Sequence, residues 1–261
     1  MAPNVPDILA KIVSQKHSEL AGVRSQLPEL ERQAADRMAG RRDFRGALLA
    51  SAPAVISEIK KASPSKGLLA EHFDPPATAR SYERGGAAAL SVLTDEKFFQ
   101  GSLADLEAAR AAVSIPVLRK DFTLEEFHIV QAAAHGADAI LLIVAILDQA
   151  TLNRLVASAA QWNLAALVEV HDDAELSSAI DSGATIIGVN NRNLHTFEVT
   201  LETSIRLAEK IPASAVKVAE SGIHSAEDVR LLAASGFQAF LVGEHLMKSG
   251  NPEQALRNLR S

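Results

Sequence analysis

Charged side chains in this chain recur where short apolar runs end. On an extended strand alternate residues share a face, and that count groups Ala54, Ile56, Glu58 and Lys60 in AVISEIK, and Leu118 with Lys120 in VLRK. It likewise pairs Leu167 with Glu169, Asn190 with Arg192, and Val216 and Val218 with Glu220. Each of these faces turns from apolar to polar or charged at its end. A single residue of this kind reads best as a solvated strand end, but five faces turning together imply a shared site. Glu58, Lys60, Lys120, Glu169, Arg192 and Glu220 bring three positive and three negative charges. Such groups, when partly buried, must pair with one another or with a ligand, because an uncompensated buried charge costs several kcal/mol. Lysines and carboxylates held together also shift one another's proton affinities, which is how general acids and bases are made. Two further segments, Glu220-Ser221-Gly222 and Val242-Gly243-Glu244, put glycine behind a strand, where backbone N–H groups can approach an anion such as phosphate.

Such residues act together only if the fold brings those strand ends to one place. RGGAAALSVLT, AHGADAILLIV, DSGATIIGVN and ASGFQAFLVG repeat one pattern, a small-residue turn with glycine and then an apolar run. Each follows a stretch of helical apolar spacing, and glycine suits a helix end because a left-handed closing residue costs it little. Extended along the chain, the pattern predicts eight strands starting near Ala54, Ala88, Pro116, Asp138, Leu164, Thr185, Ala215 and Ala239, with helices between them. Strands alternating with helices make a parallel sheet. Eight such units favour a closed (β/α)8 TIM barrel, whose chemistry collects at the C-terminal strand ends and whose last two loops commonly bind phosphate. An open doubly wound sheet remains the alternative, though its usual glycine-rich phosphate loop is missing. The expected fold is therefore α/β, with residues 1–261 as a single barrel domain and residues 1–50 as an N-terminal helical extension. In that extension Ile8, Leu9, Ile12, Val13 and Leu20 have amphipathic helical spacing. Composition favours a plug for the barrel bottom over a segment that covers substrate.

The composition narrows the partners. The 261 residues carry 26 Lys and Arg against 32 Asp and Glu, a net charge of −6 with no long basic block, which argues against nucleic acid. Cysteine is absent, excluding disulfides, thiolate metal sites and cysteine nucleophiles. The longest apolar run, Ala139 to Leu147, is far short of the ~20 residues that span a bilayer. No signal-peptide pattern opens the chain, so a cytoplasmic protein without membrane contact is expected. His171, His195, His224 and His245 follow strands without the spacing of a metal site, so they read as loop or surface residues and no metal is expected. Phe98-Phe99 and Phe122, placed in loops after the second and third strands, suit either packing or the stacking of an aromatic ligand.

EIKKASPSKG, LSVLTDEKFFQGS, PVLRKDF, LVEVHD, IIGVNNRNL, VAESGI and LVGEHLM, in this order, resemble the indole-3-glycerol-phosphate synthase family over nearly the whole chain. EIKKASPSKG and LTDEKFFQGS are the specific pair; VAESGI and VGE also occur in other phosphate-binding barrels. The resemblance implies a carboxy-lyase of tryptophan biosynthesis that uses no cofactor. Its substrate would be 1-(2-carboxyphenylamino)-1-deoxy-D-ribulose 5-phosphate, and its products indole-3-glycerol phosphate, CO₂ and water. Carried over by motif, Lys120 looks like the general acid for the carbonyl oxygen and Glu169 like the general base. Glu58 and Asn190 would assist loss of the hydroxyl. Lys60 looks like a ligand for a substrate anion with an acid role also open to it, so the lysine acting at each step stays undecided. Arg192 and Glu220 would orient the substrate and balance its charge. Ser63, Ser221, Gly222, Gly243 and the N–H of Glu244 match binding positions, and Phe99, Phe122 and Leu141 match the pocket for the aromatic ring. Many members have serine or alanine where Glu244 stands; its carboxylate would repel phosphate unless it points away. The implied partner is a small phosphorylated molecule, with a monomer or weak dimer and association with other tryptophan-pathway enzymes expected alongside.

Three other readings meet obstacles in the residues. A phosphoribosylanthranilate isomerase would use a cysteine base, which this chain lacks. A Schiff-base aldolase would typically carry its lysine at the end of the sixth strand, where Asn190 stands. A non-catalytic phosphometabolite sensor has no need of Lys120 opposite Glu169.

Overall fold

The computed structural model describes residues 7–64, 66–70 and 72–261. Helices α1 (Asp7–Val23), α2 (Leu27–Arg37) and α3 (Phe44–Ala50) come first. Eight barrel strands follow: β1 (Ala54–Ile59), β2 (Ala89–Leu93), β3 (Val117–Lys120), β4 (Ala139–Ile143), β5 (Ala165–Val170), β6 (Ile186–Asn190), β7 (Val216–Glu220) and β8 (Ala239–Val242), with a short antiparallel pair, Ala62–Ser63 and Gly67–Leu68, in the loop after β1. They pair in parallel and in chain order, and β8 returns to β1 to close a barrel. Around it run α4 (Pro75–Gly85), the single-turn α5 (Glu96–Phe99), α6 (Leu103–Ala111), α7 (Glu126–Ala134), α8 (Gln149–Gln161) and α9 (Asp173–Asp181). The chain continues through α10 (Glu202–Ala208), α11 (Ala226–Ala234), the short α12 (Glu244–Met247) and α13 (Pro252–Leu259). This is the (β/α)8 TIM barrel expected from the repeat, and each strand starts within one residue of the position read from sequence.

Local chemistry explains the agreement. The glycines of the four repeats, Gly86, Gly136, Gly183 and Gly236, have φ of 90°, 84°, 76° and 95°. An L side chain avoids that left-handed region, so these turns select glycine. Helix starts are fixed by short polar side chains: Asp74, Ser102, Asp148, Asp172 and Ser225 each accept a backbone N–H from the first turn. Strands covered on both faces read as unbroken apolar runs, and AILLI in β4 is buried at every position. Phe98 and Phe99 lie on α5 rather than in open loop, because Asp95 accepts the N–H of Phe98 at 2.7 Å and caps that turn. Among the described residues no helix is long and apolar enough to cross a membrane.

The N-terminal extension divides between the two ends of the barrel. Near α3, the backbone N–H of Arg42 donates to Asp138 just before β4, and its guanidinium donates to the carbonyls of Ile115 and Arg110. Arg45 reaches the carbonyl of Ser214 before β7, while Phe44 and Leu48 are buried. This part is the plug that composition favours. α1 sits at the opposite end: Lys16 lies 3.0 Å from Asp95, beyond β2, and 2.9 Å from Asp121, beyond β3. The plug expectation is therefore corrected for α1. Helical amphipathicity shows that a face is buried, but not which end of a barrel buries it.

Candidate active site

Strand register sets the depth of each polar residue. Lys120 pairs with Leu93, Glu169 with Ile143 and Asn190 with Glu220, so these strand ends align at the C-terminal rim. A cavity of about 390 Å³ opens there. Glu58, Lys60, Lys120, Glu169, Asn190 and Glu220 all line it. Ser63, Ser221, Gly222, Gly243 and Glu244 come from the adjacent β1, β7 and β8 sectors, and Phe99, Phe122 and Leu141 from β2 to β4. The Phe99 and Phe122 rings are tilted, with centroids 6.1 Å apart. α1 adds Ile8, Leu9 and Ile12 to the lining.

The charged groups form a partly unsatisfied cluster. Lys60 Nζ stands 2.5 Å from Glu58 Oε1, and Lys120 Nζ stands 3.7 Å from Glu169 and 4.0 Å from Glu220. All three carboxylates are at most 4% exposed. Burial opposes ionisation of Glu58, but the charges of Lys60 and Lys120 outweigh it and hold the carboxyl below its ordinary range. Burial likewise opposes the Lys120 ammonium, yet Glu169, Glu220 and Glu58 together raise its proton affinity above that of a free lysine. Glu169 and Glu220 move apart. Against burial, Lys120, His171 and Asn190 lower Glu169, whereas burial and the charge of Glu169 raise Glu220. The cluster therefore holds a cationic acid beside one ionised carboxylate and one that tends to keep its proton, a combination able to give and take protons within one cavity. Asn190 Nδ2 donates to Glu169 Oε1 at 3.2 Å and steadies that carboxylate.

Small residues make room for these acids. A Cβ on Gly243 would lie 2.2 Å from Glu58 Oε1, and one on Gly188 would lie 2.1 Å from Glu220 Oε1. Gly243 itself has an ordinary φ of −120°, so space rather than backbone freedom selects glycine there. Ser221 and Gly222 do take left-handed φ values, 67° and 79°. Asn191, 1% exposed, supports that turn by donating to the carbonyl of Ser221 at 3.1 Å. The Glu244 carboxylate is engaged by Lys248 at 2.7 Å and Lys66 at 3.6 Å.

Not every expected residue joins the acid–base cluster. Arg192 lines the cavity, but its guanidinium contacts the carbonyl of Phe197 at 3.4 Å. His224 and His245 line the same cavity with ring centroids 6.3 Å apart, and His195 borders a neighbouring cleft. The surface reading of His171 is corrected: it is largely buried, with Nε2 3.4 Å from Glu169 and Nδ1 2.9 Å from Glu175. Sequence reasoning also missed Lys16, Gly188 and Asn191. A usable signal existed for His171, since the alternation that selects Leu167 and Glu169 continues to it.

Comparison with known proteins gives a concordant result. A family model described as indole-3-glycerol phosphate synthase matches residues 9–259. The indole-3-glycerol phosphate synthases of Aromatoleum aromaticum and Burkholderia vietnamiensis are each 49% identical to this chain, covering 97% of it and 98% of their own length. A thiamine phosphate pyrophosphorylase from Pyrococcus furiosus superposes with a TM-score of 0.62 at 17% identity, over 80% of this chain and 94% of that one. That last likeness is one of fold alone.

Proposed function

The chain belongs to the indole-3-glycerol phosphate synthase family, and from that membership we propose how its buried charges share the reaction. The enzyme is a carboxy-lyase of tryptophan biosynthesis, converting 1-(2-carboxyphenylamino)-1-deoxy-D-ribulose 5-phosphate to indole-3-glycerol phosphate, CO₂ and water. In the first step the ring carbon bearing the carboxylate attacks the ribulose carbonyl carbon. Lys120 gives its proton to the carbonyl oxygen as that bond forms. Loss of CO₂ returns the bonding pair to the ring system. The hydroxyl then leaves as water, and a proton leaves the carbon beside nitrogen to complete the indole. Glu169 takes that proton, while Glu58 and Asn190 assist departure of the hydroxyl. Summed over a turnover, ionised carboxylate goes out as CO₂ and oxygen as water, so one proton is drawn from solvent.

The observation that carries this reading is the Lys120 ammonium standing 3.7 Å from Glu169, which puts a cationic acid and an ionised base within reach of one substrate. Positive charge spreading from nitrogen in the cyclised intermediate is stabilised by fixed carboxylates, which need no reorganisation in the buried site. Glu220 and Arg192 orient the substrate and balance its charge. Lys60 and Ser63 hold an anionic group, with phosphate received by the backbone at Ser221-Gly222 and Gly243-Glu244, and Phe99, Phe122 and Leu141 hold the aromatic ring. A monomer or weak dimer acting in the cytoplasm beside other enzymes of the pathway belongs to the same reading. The direct test is indole fluorescence from this substrate in chelator-treated buffer. Product should form without added metal; none between about pH 6 and 9 would end the assignment.

A further inference from the structure

Glu169 and Glu220 share one lysine at nearly equal distances, 3.7 and 4.0 Å, and are buried alike. Lys120 by itself therefore does little to decide which of them stays ionised. A second cation breaks the tie. His171, just beyond β5, directs Nε2 to within 3.4 Å of Glu169 Oε1. Its Nδ1 lies 2.9 Å from Oε2 of Glu175 on α9, and the same oxygen accepts the backbone N–H of His171 at 2.8 Å. The ring is thus clamped between two carboxylates, one in the active site and one behind it. Among the described residues the only ion pair of Glu220 within 4.0 Å is with Lys120.

We propose that the Glu175–His171 pair is a positioning device that decides which carboxylate beside Lys120 is the base, keeping the negative charge on Glu169 and the proton on Glu220. The proposal rests on the reading of Glu169 as general base. An opposite charge this close favours the ionised carboxylate; Asn190 donates to Glu169 Oε1, and His171 Nε2 stands 3.4 Å from the same oxygen without a hydrogen bond, which leaves Oε2 free to work on substrate. The histidine is suited to the task. Burial disfavours its charge, but Glu169 and Glu175 more than offset that and push it up to about 10. Those two carboxylates face the ring directly, and Asp172, Arg192, His195, Glu198 and Arg206 line the neighbouring cleft of about 650 Å³ into which the His171 side chain also opens.

Two measurements test this. In the unaltered enzyme, the ¹⁵N signals of the His171 ring should keep the imidazolium pattern through about pH 8; a neutral ring near pH 7 would overturn the proposal. His171→Gln retains size and polarity but not charge. Without that charge Glu169 becomes easier to protonate, so the acid limb of the kcat profile should move up by about one pH unit or more. The fall of kcat on acidification should then set in about one pH unit higher than in the parent, in the range below about pH 5, with kcat near pH 8.5 and KM changed less than about twofold. An acid limb left in place would overturn the proposal, and if the variant fails to fold the ring signals still decide. Glu169→Gln separates the layers. Full turnover in that variant would remove the base assignment itself, whereas an inactive Glu169→Gln beside an unshifted His171→Gln would remove only the role given to His171.

Discussion

The two ends of the barrel bury carboxylates in opposite conditions. At the bottom, Asp138 is 1% exposed and accepts the backbone N–H groups of Arg42 and Val117, both at 2.9 Å, and the Arg110 guanidinium at 3.1 Å. At the top, Glu169 and Glu220 are buried almost as deeply, but Glu169 Oε2 and Glu220 Oε1 accept no hydrogen bond and their shared ammonium stands 3.7 and 4.0 Å away. Residue class and burial match; satisfaction does not. A buried carboxylate with its donors in place holds the chain together, whereas a buried group left short of partners marks where a ligand completes the set. The plug at one end and the active site at the other are built from the same chemistry, satisfied or withheld.

The sharpest way to break that contrast is at the top. Lys120→Met should lower kcat by about 10²–10⁴, or about 3–5 kcal/mol of barrier, while a phosphate-bearing substrate analogue still binds by calorimetry. Turnover close to normal would move the acid role elsewhere. At the bottom, Asp138→Asn should do the reverse. It keeps the shape but weakens three hydrogen bonds to a charged acceptor, so denaturant unfolding should show a loss of about 2–3 kcal/mol with kcat within about twofold. If kcat fell as far as in Lys120→Met, the division between a structural and a chemical end would be wrong.

The sequence carried the fold far because its signals are local. Glycine at positive φ in Gly86, Gly136, Gly183 and Gly236 and the apolar runs behind them are short-range features; they located four barrel strands directly, and the same pattern extended along the chain located the other four, while the short pair Ala62–Ser63 and Gly67–Leu68 went unread. The strand-end charges were legible for the same reason: alternation is a property of one strand. Distances between strands are not. Nothing local says that Gly188 is glycine because Glu220 needs its space, or that Gly243 stands aside for Glu58, since each contact joins residues far apart in the chain. Arg192 shows the other limit. It shares a face with Asn190 by count, yet the chain leaves β6 before reaching it, and its guanidinium turns to the carbonyl of Phe197. Composition gave α1 and α3 one location because it records hydrophobicity, not direction.

Lys16 sits where the two descriptions meet, so it provides the finest test. It is satisfied in the manner of the bottom end, 5% exposed between Asp95 and Asp121, but it lies at the top. Burial disfavours its charge, and the two aspartates more than compensate, so it stays charged. Both partners adjoin functional positions: Asp121 follows Lys120, and Asp95 caps the turn that carries Phe99. Asp121 is also held by Arg119 at 3.0 Å and Thr94 at 2.6 Å, so losing Lys16 does not strand it, whereas the buried Asp95 would keep only the N–H of Phe98 on Oδ1. What Lys16→Met removes is the polar tie between α1 and the rim, and with it the hold on Ile8, Leu9 and Ile12 over the cavity. KM should rise about tenfold, equivalent to about 1.4 kcal/mol, with kcat reduced less than about threefold and amide exchange faster in α1 and in the α5 turn that Asp95 caps. A fall in kcat at unchanged KM would place Lys16 with the chemistry, acting through Asp121 on Lys120. No change in either constant would make α1 a bystander at the mouth and leave the barrel strands alone responsible for holding substrate.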